Sequence, residues 1–184
     1  MQLETERLLL RIPEARDLGS YAAFWADPEV VRYIGGKTRS RAETAIGVER
    51  MRRHWERHAI GLFSVVRKDD ERLLGRAGFL LWDASRWRNA LQHELEGALE
   101  TEIGWMFGRE FWGNGYATEA ARAALQWGWR ARGLRRVISL IQRGNAASVR
   151  VAEKLGERLE QENVPGPFAA TTDLYVVTAE TPAR

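Results

Sequence analysis

Short apolar runs and helix-spaced apolar positions alternate along the first eighty or so residues. Leu8 to Ile12 reads as a first strand that Pro13 ends. From Ala15 to Ala26 the residues Leu18, Tyr21, Ala22 and Trp25 fall on one helical face. Asp27-Pro28 stops that helix, Val30 to Ile34 predicts a short helical turn, and Gly35-Gly36 a loop. Ser40 with Glu43 three residues on has the spacing of a capping box, so a second long helix runs from there to about His58, carrying Ile46, Met51 and Trp55. Gly61 to Arg67 reads as a strand, Lys68 to Glu71 as a hairpin turn, and Leu73 to Leu81 as the strand that pairs back.

Residues 83–99 are polar and predict a variable loop or edge insertion. Beyond them a strand covers Glu102 to Phe107, a Gly-containing turn Trp112 to Ala117, and a helix Ala117 to about Arg132. Val137 to Ile141 is the next strand, and a helix opens at Asn145 and stops at Gly156. Arg158 to Glu162 and Leu174 to Thr178 predict two closing strands. Strands first, then strands mixed with helices, imply an α+β fold around a mixed sheet. No repeats occur, and 184 residues predict one domain, 1–184.

The strand–turn–helix over 102–132 carries the clearest chemistry. Gly113 and Gly115 let the backbone approach a ligand, and a helix N-terminus offers free N–H groups to an anion. The expected guest is a diphosphate. The turn lacks the Lys-Ser/Thr pair of a nucleoside-triphosphate loop. It also lacks a third Gly, and Gln142 and Arg143 follow the next strand where a dinucleotide site would place an acid.

Composition narrows the field further. There are no cysteines, which excludes disulfides, Cys-based metal sites and Cys nucleophiles. No apolar run approaches membrane-spanning length, the N-terminus does not read as a signal peptide, and the cytoplasm is the default location. The net charge of +3 is mild. A nucleic-acid binder would show a dense basic run, and none appears. His54 and His58 have a zinc-compatible spacing, but Trp55 stands where a metalloprotease helix has Glu and no third ligand lies nearby, so no metal is expected.

Two blocks together resemble a known family. Trp112-Gly113-Asn114-Gly115-Tyr116-Ala117-Thr118-Glu119-Ala120 and, downstream, Asn145-Ala-Ala-Ser148 running to Lys154-Leu155-Gly156 are similar to the GNAT superfamily of N-acetyltransferases, and within it to the branch that modifies ribosomal-protein N-termini. Trp112 departs from the usual Gln or Arg, and Glu157 replaces the usual aromatic. The looser likeness runs from Thr5-Glu6-Arg7-Leu8 to about Val177. The resemblance implies a GNAT acyl-CoA N-acyltransferase fold: a mixed, mostly antiparallel sheet splayed at its centre and flanked by helices. It implies acetyl-CoA as co-substrate and a primary amine as acceptor, either a protein N-terminal α-amine or a small molecule. Dimers are common among such enzymes, though nothing in the sequence signals a homodimer.

Acetyl transfer to an amine needs a base, a hydrogen-bond donor for the thioester carbonyl, and a proton for the departing thiolate. Without Cys, direct attack in a ternary complex is favoured over an acyl-enzyme. The resemblance makes Glu102 the candidate base, and a strand-edge carboxylate or ion pair is the plainer alternative. It assigns Asn145 to the pantetheine arm and Ser148 to that arm or to the thiolate proton, since Ala152 stands where many relatives have a Tyr. An ordinary N-cap pair is the alternative for these two. Met106 and Phe107 would offer backbone groups to the pantetheine, and Gly113, Asn114, Gly115, Ala117 and Thr118 would cradle the pyrophosphate. Trp112 and Tyr116 are expected to pack beneath the loop. Glu94, Glu96 and Glu100 form either an acidic mouth or a solvated loop, and Trp25, Trp82 or Trp87 could line an acceptor pocket. The acceptor would be chosen by loops near 30–40, 83–99 and 163–170. A non-catalytic acyl-CoA-binding sensor or partner-binding module is the alternative function.

Overall fold

A computed structural model describes residues 1–164 and 171–179. The chain forms strands β1 (Gln2–Glu4) and β2 (Leu8–Arg11), helices α1 (Leu18–Ala26), α2 (Pro28–Val31) and α3 (Arg41–His58), then β3 (Leu62–Arg67), β4 (Leu73–Asp83) and β5 (Arg88–Asn89). There follow β6 (Leu99–Phe107), α4 (Tyr116–Arg132), β7 (Arg136–Gln142), α5 (Ala146–Lys154), β8 (Arg158–Val164) and β9 (Thr172–Thr178). The sheet order is β1-β2-β3-β4-β6-β7-β9-β8, with β5 pairing to β4. Every neighbouring pair is antiparallel except β6 and β7, which run parallel and share one rung, Glu102 with Ile138. Past that rung the two strands part. This is the α+β mixed sheet that the element order and the resemblance implied.

The local chemistry explains the elements. Ser40 Oγ accepts the Glu43 N–H and the Glu43 carboxylate accepts the Ser40 N–H, so the capping box forms as its spacing predicted. Helix α4 lays a stripe of small residues, Ala120, Ala121, Ala124 and Gly128, against the sheet, which lets it sit close to Phe79. Trp55, Phe63, Phe79 and Trp127 interlock edge-on and tilted at the centre of the core.

Several boundaries differ from expectation. The first helix opens as a 3-10 turn over Ala15–Asp17, because the Asp17 carboxylate is taken up by Arg11, by the Glu14 N–H and by Ser64. Residues 83–99 are not simply a loop: β4 runs on to Asp83, β5 pairs with it, and β6 starts at Leu99. Strands β1 and β5 were not foreseen. The end of the 163–170 loop, from 165 on, lies outside the described residues.

Candidate active site

The 3-10 turn Arg109–Phe111 and the residues after it bring the chain from the end of β6 to the start of α4. Gly113 and Gly115 have φ of +78° and +79°, left-handed values that cost a Cβ-bearing residue. They curl the backbone over the helix start. No side chain caps α4, so its first N–H groups stand open to a ligand. This is the observation that fits a diphosphate: an uncapped helix N-terminus reached by a backbone without side chains. Ala117 and Thr118 lie in that first turn. The Asn114 side chain is committed to the loop itself, donating to the Phe111 and Trp112 carbonyls, so any part it takes in holding a ligand falls to its backbone.

The loop has a brace that sequence reading missed. Glu119, in the first turn of α4, accepts from Thr5 Oγ1 at 2.6 Å and from Arg7 Nε at 2.7 Å, and Arg7 also donates to the Asn114 carbonyl. Burial alone would raise the Glu119 pKa, but these hydrogen bonds hold it below the usual carboxylate range. Thr5 and Arg7 sit in the same short stretch that opens the family likeness, and that was the available signal. Tyr116 is buried, with the Arg7 guanidinium 4.6 Å from its ring centroid and its hydroxyl accepting from Arg67. Trp112 does not pack beneath the loop: its indole is half exposed, tethered by Nε1 donating to the Phe107 carbonyl at 2.9 Å. The apolar side chains of Met106 and Phe107 are buried in the core, which leaves only their backbone to face the parted sheet, and the Phe107 carbonyl already accepts from Trp112.

A cavity of about 180 Å³ opens where β6 and β7 part and extends beneath α1 and α3. Glu102, Asn145 and Ser148 all line it, so three of the residues chosen from sequence converge on one space. Gly104, next but one to Glu102, leaves the floor open; a Cβ there would lie 3.8 Å from Glu102 Cδ. Trp25 and Trp82 line the cavity too, whereas Trp87 packs on a separate cluster around Ile138 and Val176.

Glu102 is partly buried and lines the cavity. Burial pushes its carboxyl up to about 7, against the pull of the Trp82 indole N–H, which donates to Oε2 at 2.6 Å, and of the Arg76 charge. No Lys or Arg lies within 4 Å of it among the described residues, although the Arg76 charge reaches it, so the structural ion pair is not formed and the strand-edge carboxylate is the alternative that stands. Behind the sheet Glu157 is buried, with its pKa also pushed to about 7 by burial and by the Glu102 charge. Ser139 Oγ lies 2.8 Å from the Ile103 carbonyl and 3.1 Å from Glu157 Oε1, and its single proton cannot serve both. Glu157 Oε2 has no partner among the described residues, so the neutral acid suits this pocket better than the carboxylate.

Asn145 Oδ1 accepts the Ser148 N–H at 3.1 Å, which is the N-cap arrangement, and it leaves the Asn145 amide group and the Ser148 hydroxyl without a hydrogen bond to any described residue. Both uses of the pair are thus compatible. The three acids just upstream of Glu102 make no free acidic mouth: Glu94 pairs with Arg57, Glu96 with Arg86 and Glu100 with Arg136. His54 is a core residue, its Nδ1 against the Ile60 carbonyl at 2.8 Å and its Nε2 receiving the Leu81 N–H. Burial pushes its pKa down to about 4, so the ring is neutral. Among the described residues no group of three His, Asp or Glu could hold a metal ion.

A sheet parted at its one parallel pair, an open helix N-terminus beside it and a carboxylate in the adjoining cavity define a transferase that takes an acyl-CoA. Residues 7–158 match the acetyltransferase (GNAT) domain family. The chain is 35% identical over 156 residues to the Bacillus subtilis (strain 168) protein YkkB, with 84% of each chain covered. It is 30% identical over 162 residues to the N-acetyltransferase YnaD of the same strain, covering 87% of this chain and 84% of that one. A GNAT-family acetyltransferase from Bacillus anthracis has the same architecture, with a TM-score of 0.76 at 27% identity over 97% of this chain and 98% of that one. The ribosomal L7/L12 alpha-N-protein acetyltransferase RimL, solved with coenzyme A, shares the fold at a TM-score of 0.77 and 14% identity, over 97% of this chain and 98% of that one. The chain belongs to the GNAT acetyltransferase family and is an acetyl-CoA-dependent acetyltransferase. No helix among the described residues is long and apolar enough to cross a membrane.

Proposed function

We propose that this protein transfers the acetyl group of acetyl-CoA to a primary amine by direct attack in a ternary complex, with Glu102 as the base. The observation that carries the reading is the Glu102 carboxyl, held near neutrality in its affinity for a proton, inside the cavity that joins the parted strands. When bound, acetyl-CoA supplies the activated acyl group. Gly113, Asn114, Gly115, Ala117 and Thr118 would hold its diphosphate through backbone N–H groups. The parted edge of β6, through Met106, Phe107 and the residues before them, would face its arm together with Asn145.

The chain's own side chains then do three things. Glu102 takes the proton of the incoming ammonium, directly or through one water, and a pKa near the working pH suits that transfer. Trp82 keeps the carboxylate aimed. Ser148, whose hydroxyl has no described partner, supplies a proton to the departing thiolate and regains one from the nitrogen that has attacked. The acceptor is a protein N-terminal α-amine, the class named for the ribosomal L7/L12 enzyme, or a small-molecule amine.

Thiol release from acetyl-CoA, followed across an amine panel, tests the reading. Turnover with any primary amine, cut about 10²- to 10⁴-fold in Glu102→Gln with acetyl-CoA affinity kept, is the expected result. Tight acetyl-CoA binding with no thiol release for any amine would instead make the chain a binding module.

A further inference from the structure

Two arginines meet in the cavity. Arg39, one residue before the cap of α3, and Arg76, on β4, both lie over the ring of Trp25, at 3.6 Å and 5.2 Å from its centroid. Both line the cavity with Glu102. Neither is within 4 Å of a carboxylate among the described residues, although Arg7, Arg11, Arg67, Arg136 and Arg143 all have such partners. Nη1 of Arg76 donates to Met51 Sδ at 3.4 Å, and sulfur is a weak acceptor. Burial pulls the pKa of Arg39 down and that of Arg76 to about 10; the Glu43 charge offsets part of this for Arg39 and Tyr21 and Glu102 part of it for Arg76, while Arg50 opposes the first and Arg39 the second. Both stay charged at neutral pH.

Two like charges on one indole, partly desolvated and with no ion pair within 4 Å among the described residues, weaken a fold unless something is gained in return. The diphosphate loop is not what they serve, because none of Gly113 to Thr118 lines this cavity. The helix above them is also cut back. Gly47 sits in the interior of α3, where glycine costs helix stability, and faces the cavity; a Cβ there would already lie 3.6 Å from Arg39 Nη1. Any longer side chain would press on the guanidinium.

We propose that Arg39 and Arg76 form an anion subsite of the acceptor pocket, so that the acceptor is a small molecule carrying a carboxylate or phosphate as well as its amine. The amine points to Glu102 and the anion to the two guanidinium groups beside Trp25. Planar forked donors suit both anions. This substrate class rests on the acetyl-transfer reading, but the subsite itself can be read without turnover.

Four acceptors in matched pairs test it by thiol release: glycine against glycinamide for a carboxylate, and aminoethyl phosphate against ethanolamine for a phosphate. The anionic member of at least one pair should have the higher kcat/KM by about 10- to 100-fold, as expected for hydrogen bonds to a charged group. Arg76→Met and, at the edge of the cavity, Arg39→Gln should each shrink that ratio toward one. Equal use of charged and neutral amines, or a ratio that neither substitution changes, would overturn the subsite and leave acetyl transfer standing. If no amine releases thiol, calorimetric titration of the acetyl-CoA-loaded protein with glycine and with aminoethyl phosphate decides. Binding lost in Arg39→Gln keeps the subsite and overturns the transfer reading; no binding overturns the subsite.

Discussion

Glu102 is balanced between a desolvating pocket and three groups that favour its charge, the Trp82 indole, the Leu140 N–H and Arg76. A base works only when ionised, so kcat/KM should rise with pH through an apparent midpoint near 7 and level off above it. In Glu102→Gln the rate should be low and that rise should vanish. Glu157 shares the same field, so the midpoint belongs to the pair. Its folded pKa lies above the unfolded value, so the folded protein binds the extra proton and stability falls as pH rises from about 4.5 toward 7. Glu157→Gln removes this loss, and denaturant unfolding at pH 8 should show a gain on the order of 2 kcal/mol that shrinks toward pH 4. Glu102 was legible from sequence because it stands on the strand that feeds the loop. Glu157 was visible only as an acid where relatives place an aromatic. Arg39 and Arg76 were invisible as a pair: what marks them is the lack of an ion pair within 4 Å among the described residues, and that depends on which distant residues come near.

At the scale of elements, the legible parts were those with a strong local rule. The capping box set the start of α3, and the two glycines set the entry to α4. Substituting Gly115→Glu places a side chain and a negative charge at the mouth of that helix, on a backbone with φ of +79°. Acetyl-CoA at about 100 times its dissociation constant should raise the wild-type melting midpoint by several degrees, and this variant should show no shift. An equal shift in both would remove the loop from the cofactor's site. Strands β1 and β5 were missed because three and two residues are too few to show alternation; they exist by pairing with β2 and β4. The acids near 83–99 read as a candidate mouth because their arginine partners Arg57, Arg86 and Arg136 are far off or unremarkable in sequence.

Over the whole molecule, two groups of strands meet at one rung. Glu102 and Ile138 form it, Ser139 adds its bond to the Ile103 carbonyl, and Arg136 reaches across to Glu100 on one side and Glu160 on the other. The α+β class and the hairpin of β3 and β4 followed from the alternation of strand and helix signals, but the parting was implied only by family likeness, since a missing ladder leaves no mark on residue pattern. One consequence concerns time rather than shape. The cavity takes one wall from β4 and β6 and the other from β7 and α5, and little backbone pairing sets the distance between them. A guest lying between the strands fixes that distance, so the pocket for the amine is finished only after the nucleotide-bearing partner has arrived. Initial-rate kinetics should therefore be sequential and ordered. Free coenzyme A should compete with acetyl-CoA but not with the amine, and a dead-end amine analogue should be uncompetitive against acetyl-CoA. Noncompetitive inhibition by that analogue would mean that both walls stand ready beforehand, and that the gap in the sheet is a doorway and not a gauge.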